Sequence, residues 1–143
     1  MPTIDQVAFN YQVTDTIKDK EYGSGWPVVY IINDDKEAYI GETVNVAVRA
    51  GQHMRKPERR KLTTINIITD ENYNKSVILD LESYLIKHMA ADGRFLLQNG
   101  NAGLSDHNYY QQAEYAKSFR GIWDELKKRD LVVHGIEYIT NSD

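Results

Sequence analysis

The sequence contains no cysteine, no long apolar segment and no excess of positive charge. The absence of cysteine excludes disulfides and thiolate zinc sites, and it agrees with a reducing cytosol. The chain has no apolar run of about 18 residues and no charged-then-apolar N-terminus, so it shows no sign of a membrane span or a signal peptide. We therefore expect a soluble, cytoplasmic protein.

The charge balance is acidic. Lysine and arginine number 17 against 21 aspartates and glutamates, for a formal net charge of -4. Stand-alone DNA-binding domains are usually basic, so this balance argues against a nucleic-acid partner. With 143 residues, of which 41% are hydrophobic, the chain is long enough to bury the core of one domain.

The segment that follows Trp26 has the pattern of a β-hairpin with one tyrosine on each strand. The predicted strands are residues 26–32 and 38–42. A two-residue turn centred on Asp34 and Asp35 would place Tyr30 directly opposite Tyr39. Both phenols would then lie on one face of the hairpin.

After Gly41 the pattern changes to that of a helix. Thr43 is the predicted N-cap, and apolar residues then recur three and four positions apart, at Val44, Ala47, Val48 and Ala50. Arg49 and His53 are four residues apart, so they share one side of this helix. The spacing predicts that two phenols, a guanidinium and an imidazole meet at one site.

These residues, in this order and spacing, resemble the GIY-YIG nuclease family. Tyr39-Ile40-Gly41 matches the second signature in full, whereas Val28-Val29-Tyr30 keeps only the tyrosine of the first. The resemblance implies an α/β fold with a small mixed or antiparallel three-stranded sheet flanked by helices. It also implies an endonuclease that hydrolyses DNA with one divalent ion, Mg²⁺ or Mn²⁺, in repair, recombination or defence.

A helix predicted near residues 72–91, with Asn72 or Asn74 as its cap, carries a glutamate at the edge of its apolar stripe. Glu82 lies beside this stripe, which consists of Ile78, Leu81, Leu85 and Met89. Burying an unpaired charge costs several kcal/mol, roughly, so we expect a cation or a basic group nearby. In the family, one glutamate on this helix binds the catalytic metal, and Glu82 is the matching position.

Other residues are expected to support the site. The helix should end at Asp92-Gly93, and in the family an asparagine after the following short strand braces the active site. Asn99 is the first choice for that role, and Asn101 is the alternative because Gly100 leaves the register open. Gly41 and Thr43 are the other predicted supporting residues.

The family resemblance assigns a role to each candidate side chain. Glu82 would hold the ion and Arg49 the phosphate, and either Tyr30 or Tyr39 would act as general base. Tyr30 is the favoured base, with Tyr39 positioning the water. His53 would orient a tyrosine or shuttle a proton. A free phenol has a pKa of about 10, so the general base would need a cation beside it.

One residue departs from the family pattern. Many members carry lysine, glutamine or serine directly after the second signature, where this chain has Glu42. Its carboxylate would raise the pKa of the phenol, unless it points to solvent or joins the metal site. Catalysis would then be weak, or Glu42 would be a second metal contact.

A basic run follows the predicted Arg49 helix. It comprises Arg55, Lys56, Arg59, Arg60 and Lys61. Such a run is often only a solvated loop, but its place beside Arg49 and His53 favours contact with DNA phosphates.

The chain continues beyond a minimal GIY-YIG domain. Apolar residues at helical spacing predict one long amphipathic helix that is capped by Asp106 and ends at about Lys128. Its apolar stripe is expected to pack on the core or on a partner domain. The stripe consists of Tyr109, Ala113, Ala116, Phe119, Trp123 and Leu126. Residues 131–140 are predicted to form a short strand. This extension resembles GIY-YIG domains fused N-terminally to helicase-like P-loop ATPases, which would make such a domain the downstream partner.

The predicted organisation has three parts. They are an N-terminal extension (1–25), the nuclease core (26–103, with a third strand at 62–69) and a C-terminal helix and linker (104–143). A second function stays open, that of a nucleic-acid-binding or docking module with this fold and weak or no catalysis. The acidic charge and Glu42 favour the module, whereas the five candidate catalytic residues favour the enzyme.

Overall fold

The computed structural model describes residues 2–99 and 109–140, without the side chains of 109–114 and 140. The elements in these ranges, in chain order, are β1 (Thr3–Ala8), α1 (Val13–Lys18), β2 (Val28–Asn33), β3 (Glu37–Thr43), α2 (Val46–Met54), α3 (Pro57–Arg60), β4 (Thr64–Thr69), α4 (Lys75–Asp92), β5 (Leu96–Leu97), α5 (Tyr109–Lys128) and α6 (Ile136–Thr140). Neither α4 nor α5, the two helices of 18 residues or more in these ranges, is apolar enough to cross a bilayer.

The strands form one mixed sheet in the order β1-β4-β2-β3-β5, in which only the short β3–β5 pair is parallel. The α/β fold with flanking helices is confirmed, but the sheet has five strands instead of the predicted three. We did not predict β1, an edge strand of mixed polar and apolar residues that are mostly unburied and show no clear alternation. It pairs with β4 along its whole length, so the N-terminal residues complete the sheet.

Helices cover both faces of the sheet. Alternate residues of β2 point to opposite faces, and all six residues of this central strand are buried, which explains its continuous apolar run. Val29 and Ile31 pack with α4, α5 and α6, whereas Tyr30 and Ile32 pack with α1 and α2. The two tyrosines therefore lie on the face covered by α1 and α2.

The β2–β3 hairpin has a different register from the predicted one. The Asp34 carboxylate accepts from the backbone N–H groups of Lys36 (2.8 Å) and Glu37 (2.7 Å), which moves the turn one residue along the chain. Tyr30 consequently pairs with Gly41 rather than with Tyr39. The prediction of directly opposed tyrosines is wrong, although both rings do lie on one face, with centroids 6.4 Å apart.

Helix α2 begins two residues later than its expected cap implies. Asn45 is the N-cap and accepts from the N–H of Val48, whereas Thr43 ends β3 and accepts from the N–H of Asn45. The predicted apolar face is therefore wrong in part. Val44 and Val48 are 46% and 52% exposed, while the buried residues of α2 are Val46, Ala47, Ala50, His53 and Met54.

Helix α4 follows the prediction closely. Asn74 is its cap, and it ends at Gly93, which adopts the left-handed conformation that favours glycine. The predicted apolar stripe is buried against the sheet. In the C-terminal region, Phe119, Trp123 and Leu126 of α5 pack on this core as expected, with Ile122 beside them, whereas Ala116 is exposed.

Residues 131–140 contain a helix instead of the predicted strand. The buried Asp92 carboxylate accepts from the backbone N–H groups of Val133 and His134, and the Trp123 indole donates to the His134 carbonyl. These backbone groups are therefore already hydrogen-bonded to side chains and cannot pair with a neighbouring strand. Helix α6 follows directly. Asp106, the predicted cap of α5, and Asn101 lie outside the described residues, as do the side chains of Tyr109 and Ala113.

Candidate active site

The candidate site lies along the outer edge of β3, beyond the residues that pair with β5. Alternate residues of β3 direct their backbone N–H and carbonyl groups away from β2. The first of these residues is Ala38, whose carbonyl accepts from the N–H of Gln98, directly after β5. Asn99 covers the next, because its side chain accepts from the Ile40 N–H (3.0 Å) and donates to the Ile40 carbonyl (2.7 Å). One step further, the Glu42 backbone interacts with the Glu82 carboxylate.

Gly41 lets Tyr30 reach this edge. The Tyr30 phenol crosses β3 directly above Gly41, so closely that a Cβ at this position would lie 2.3 Å from the hydroxyl oxygen. The Tyr30 side chain is only 1% exposed, and its hydroxyl lies 2.8 Å from Nε2 of His53. A glycine is therefore required opposite Tyr30 for steric reasons.

The surroundings of Tyr30 shift the pKa of its phenol in opposite directions. Burial, followed by the neighbouring Tyr39, raises the pKa of the Tyr30 phenol well above its ordinary value. The Arg49 guanidinium approaches the phenol and lowers the pKa, whereas Glu82 raises it. Arg49 and Glu82 thus both act on the Tyr30 hydroxyl, although Glu82 projects from the helix on the opposite face of the sheet.

His53 is buried, with 3% of its surface exposed. Burial, followed by the positive charges of Arg59, Lys56 and Arg49, lowers the pKa of the imidazole to about 4. The ring is therefore neutral at pH 7. In the neutral ring Nε2 can accept from the Tyr30 hydroxyl, and this tautomer leaves the proton on Nδ1.

Glu82 lies partly buried on α4, as the sequence predicted. Burial and the nearby Glu42 carboxylate raise its pKa to about 7, against the smaller lowering effects of Lys75, the Glu42 backbone and Arg49. The Glu42 carboxylate itself pairs with Lys75 at 2.5 Å, so it does not point freely to solvent.

The donor set at Glu82 fits a divalent ion that also needs a substrate phosphate. The raised pKa of Glu82 shows that the negative charge there is incompletely balanced, and the second carboxylate of Glu42 lies close by. No group of three His, Asp or Glu side chains within the described ranges forms a complete protein cage. Mg²⁺ is commonly bound by one or two carboxylates together with waters and phosphate oxygens, so this arrangement suits it.

The basic run divides into two groups. Three of its members make internal contacts: Arg60 donates to the Met54 and Arg55 carbonyls at the end of α2, Lys61 pairs with Glu37, and the Arg59 guanidinium lies 3.8 Å from the centroid of the Tyr39 ring. Arg55 and Lys56 are exposed, as are Arg60 and Lys61, so Arg59 is the one buried member of the run.

The predicted side chains thus come together. Tyr30, Tyr39, Arg49 and His53 form one cluster, with Glu82 close enough to shift the pKa of Tyr30 and Asn99 on the adjoining backbone. Two neighbours were not anticipated. Lys75 lies seven residues before Glu82, and this spacing, which places both on one face of a helix, is a signal in the sequence. No local pattern relates Arg59 to Tyr39.

The comparison with known families agrees with this geometry. A family model described as the GIY-YIG catalytic domain matches residues 27–94, a range that contains all five candidate catalytic side chains. No protein of curated function and no solved structure gives a significant match to the chain. The mixed α/β architecture is consistent with the GIY-YIG fold. Residues 27–94 are therefore similar to the GIY-YIG catalytic domain.

Proposed function

We propose that this chain is a divalent-metal-dependent endonuclease that hydrolyses DNA phosphodiester bonds. One observation carries the proposal: the Tyr30 hydroxyl, which crosses β3 above Gly41, is hydrogen-bonded to His53 at 2.8 Å. The Arg49 guanidinium lies beside this hydroxyl, and the partly buried Glu82 meets the same strand at the Glu42 backbone. Phosphodiester hydrolysis needs a base, an anion ligand and a metal ligand at one place.

In this proposal Tyr30 is the general base. Its hydroxyl donates to neutral His53, which takes the phenolic proton at Nε2 as the phenol oxygen removes a proton from the attacking water. Arg49 stabilises the phenolate and binds the scissile phosphate, because a guanidinium can donate to both oxygens at once. Tyr39, beside both rings, positions the water.

Glu82 would hold one Mg²⁺ or Mn²⁺ ion. When bound, the ion would supply Lewis-acid polarisation of the scissile phosphate and the leaving oxygen. Asn99 fixes the β3 backbone between Tyr39 and Gly41, and so maintains the edge that Glu82 meets. Arg55 and Lys56, which are exposed between α2 and α3, would contact neighbouring phosphates.

A second candidate function is a DNA-binding or docking module with weak or no catalysis. The observation in its favour is the deep burial of the Tyr30 phenol, which is 1% exposed and would have to be reached by a water molecule. Fusion to an ATPase domain, a role in repair or defence and a cytoplasmic location stay predictions of the sequence.

Cleavage of defined substrates separates the two candidates. Plasmid, duplex, flap and single-stranded DNA are incubated with the protein in Mg²⁺, in Mn²⁺ and in EDTA. The enzyme proposal expects divalent-dependent cleavage of at least one substrate, and its loss in Glu82→Gln. Glu125→Gln is the matched control, because Glu125 is a helix glutamate paired with Arg129 on α5, away from the site. DNA binding without cleavage in either metal would support the module instead.

A further inference from the structure

Arg59 occupies an unusual place for a member of a basic surface run. The residue is 8% exposed, and its guanidinium lies over the Tyr39 ring. Its partner is the adjacent Glu58 at 3.3 Å, a side chain that is itself 57% exposed, and the buried Nε has no hydrogen-bond partner within the described residues. A buried charge with so little compensation is costly, which calls for a reason other than stability.

The contacts of Arg59 lead directly into the catalytic cluster. The Tyr39 ring, 3.8 Å below the guanidinium, has its centroid 4.9 Å from that of His53. The His53 imidazole in turn is hydrogen-bonded to the Tyr30 hydroxyl. Arg59 is thus linked to the proposed base through two successive side chains.

We propose that Arg59 is a positioning residue of the active site, which holds the Tyr39 ring and places its positive charge beside His53, the acceptor for the Tyr30 hydroxyl. A cation over the face of a tyrosine is attracted by the ring and restrains its rotation. The same cation opposes a second positive charge on the nearby imidazole. This inference rests on the proposed function, in which Tyr30 gives its proton to His53.

The charges around His53 agree with this role. After burial, Arg59 is the largest of the influences that lower the pKa of His53, ahead of Lys56 and Arg49. The titratable groups that face the imidazole are therefore these three cations, from α2, α3 and the segment between them, together with the phenols of Tyr30 on β2 and Tyr39 on β3. Arg59 thus contacts the catalytic cluster directly through the Tyr39 ring, whereas Arg55 and Lys56 are exposed.

An NMR titration of His53 tests the inference without any need for activity. Wild-type protein is compared with Arg59→Met, which removes the charge, and Arg59→Lys, which keeps it. In Arg59→Met the titration midpoint should rise by about half a unit to one unit, because burial still opposes the charged ring. In Arg59→Lys the midpoint should stay low while the Tyr39 ring resonances shift, because lysine lacks the planar stack.

Arg94→Met is the matched control. Its guanidinium also lies over an aromatic ring, Phe95 at 4.2 Å, but it has no part in the site, so the His53 midpoint should not move. If Arg59→Met does not fold, Arg59→Gln carries the same expectation. A His53 midpoint in the neutral variant equal to that of wild type would overturn the inference.

Kinetics give a second readout. If the wild type cleaves DNA, the acid limb of its pH profile of kcat/KM should move to higher pH in Arg59→Met, by the same amount as the His53 midpoint. The salt dependence of DNA binding should stay unchanged. A flattened salt dependence with an unmoved acid limb would show that Arg59 contacts phosphate, and would contradict the positioning role. An inactive wild type would refute the nuclease, while the NMR titration would still decide what Arg59 does to His53.

Discussion

Gly41→Ala adds one methyl group to β3 and should displace the Tyr30 ring from the site. A Cβ at this position would lie 2.3 Å from the Tyr30 hydroxyl oxygen, 2.4 Å from Cζ and 2.9 Å from Cε2. Ordinary carbon contacts are about 3.5 to 4.0 Å, so the ring would have to move by about 1 Å or more. The ring has little room to do so, because Tyr30 is 1% exposed and packed in the core.

The expected cost follows from these contacts. Overpacking of a filled core costs typically about 1 to 3 kcal/mol, and loss of the 2.8 Å hydrogen bond to His53 adds about 1 kcal/mol. We expect Gly41→Ala to lower the free energy of unfolding by about 2 to 4 kcal/mol. The displaced phenol should also abolish the cleavage that we propose for the wild type.

Urea unfolding measures this effect. Gly121→Ala is the matched control, because Gly121 lies within α5 with nothing within 4 Å of an added Cβ, and there alanine should stabilise by about 0.5 to 1 kcal/mol. In a double-mutant cycle, Tyr30→Leu removes the atoms that clash, so Gly41→Ala should cost at least about 1 kcal/mol less in that background. A Gly41→Ala protein as stable as wild type, or additive costs in the cycle, would refute the steric argument.

Two further predictions concern stability. Because the folded-state pKa of His53, about 4, lies below the ordinary 6.5, its neutral form stabilises the fold fully above pH 6.5, and this contribution is lost as the pH falls towards 4. The loss should reach about 2 to 3 kcal/mol in urea titrations, and a His53→Gln variant that shows the same decline would contradict it. Asn99→Asp should lower the unfolding free energy by about 1 to 3 kcal/mol, because a carboxylate cannot donate to the Ile40 carbonyl. Equal urea midpoints for this variant and wild type at pH 8 would show that the backbone contact is dispensable.

The central elements could be predicted because their signals are local and strong. The stripe of α4, with Asn74 before it and Gly93 after it, specifies both the helix and its ends. The buried run of β2 and the second signature on β3 identify the hairpin that carries the tyrosines. The association of Tyr30 and Tyr39 with Arg49 and His53 follows from these elements and their connection.

The failures arise where one side chain decides between similar alternatives. Asp34 selects the turn by binding two backbone N–H groups, and the register of the tyrosines depends on that choice. Thr43 and Asn45 are both acceptable caps by residue type, and only the length of β3 decides between them. In the C-terminal segment, Asp92 takes the N–H groups of residues more than 40 positions away, a contact that no local pattern can reveal.

The contacts of the charged residues were the least predictable. Arg59 and Lys61 look alike in the sequence, yet one is buried over Tyr39 and the other pairs with Glu37 at the surface. Their positions depend on α3, a four-residue helix too short to show a period. The partner of Glu42 was likewise missed, because Lys75 is 33 residues away and reaches it from another element.

The most direct test of the nuclease proposal is the single-turnover cleavage rate of Glu82→Gln against wild type, with protein in excess over DNA and Mg²⁺ or Mn²⁺ present. Glutamine keeps the shape of the side chain and removes the negative charge that we assign to the metal. We predict divalent-dependent cleavage by wild type and a loss of at least about 100-fold in the folded variant, as expected for a dominant electrostatic contribution. Equal cleavage rates for the two proteins would show that Glu82 is structural and would contradict the proposed mechanism.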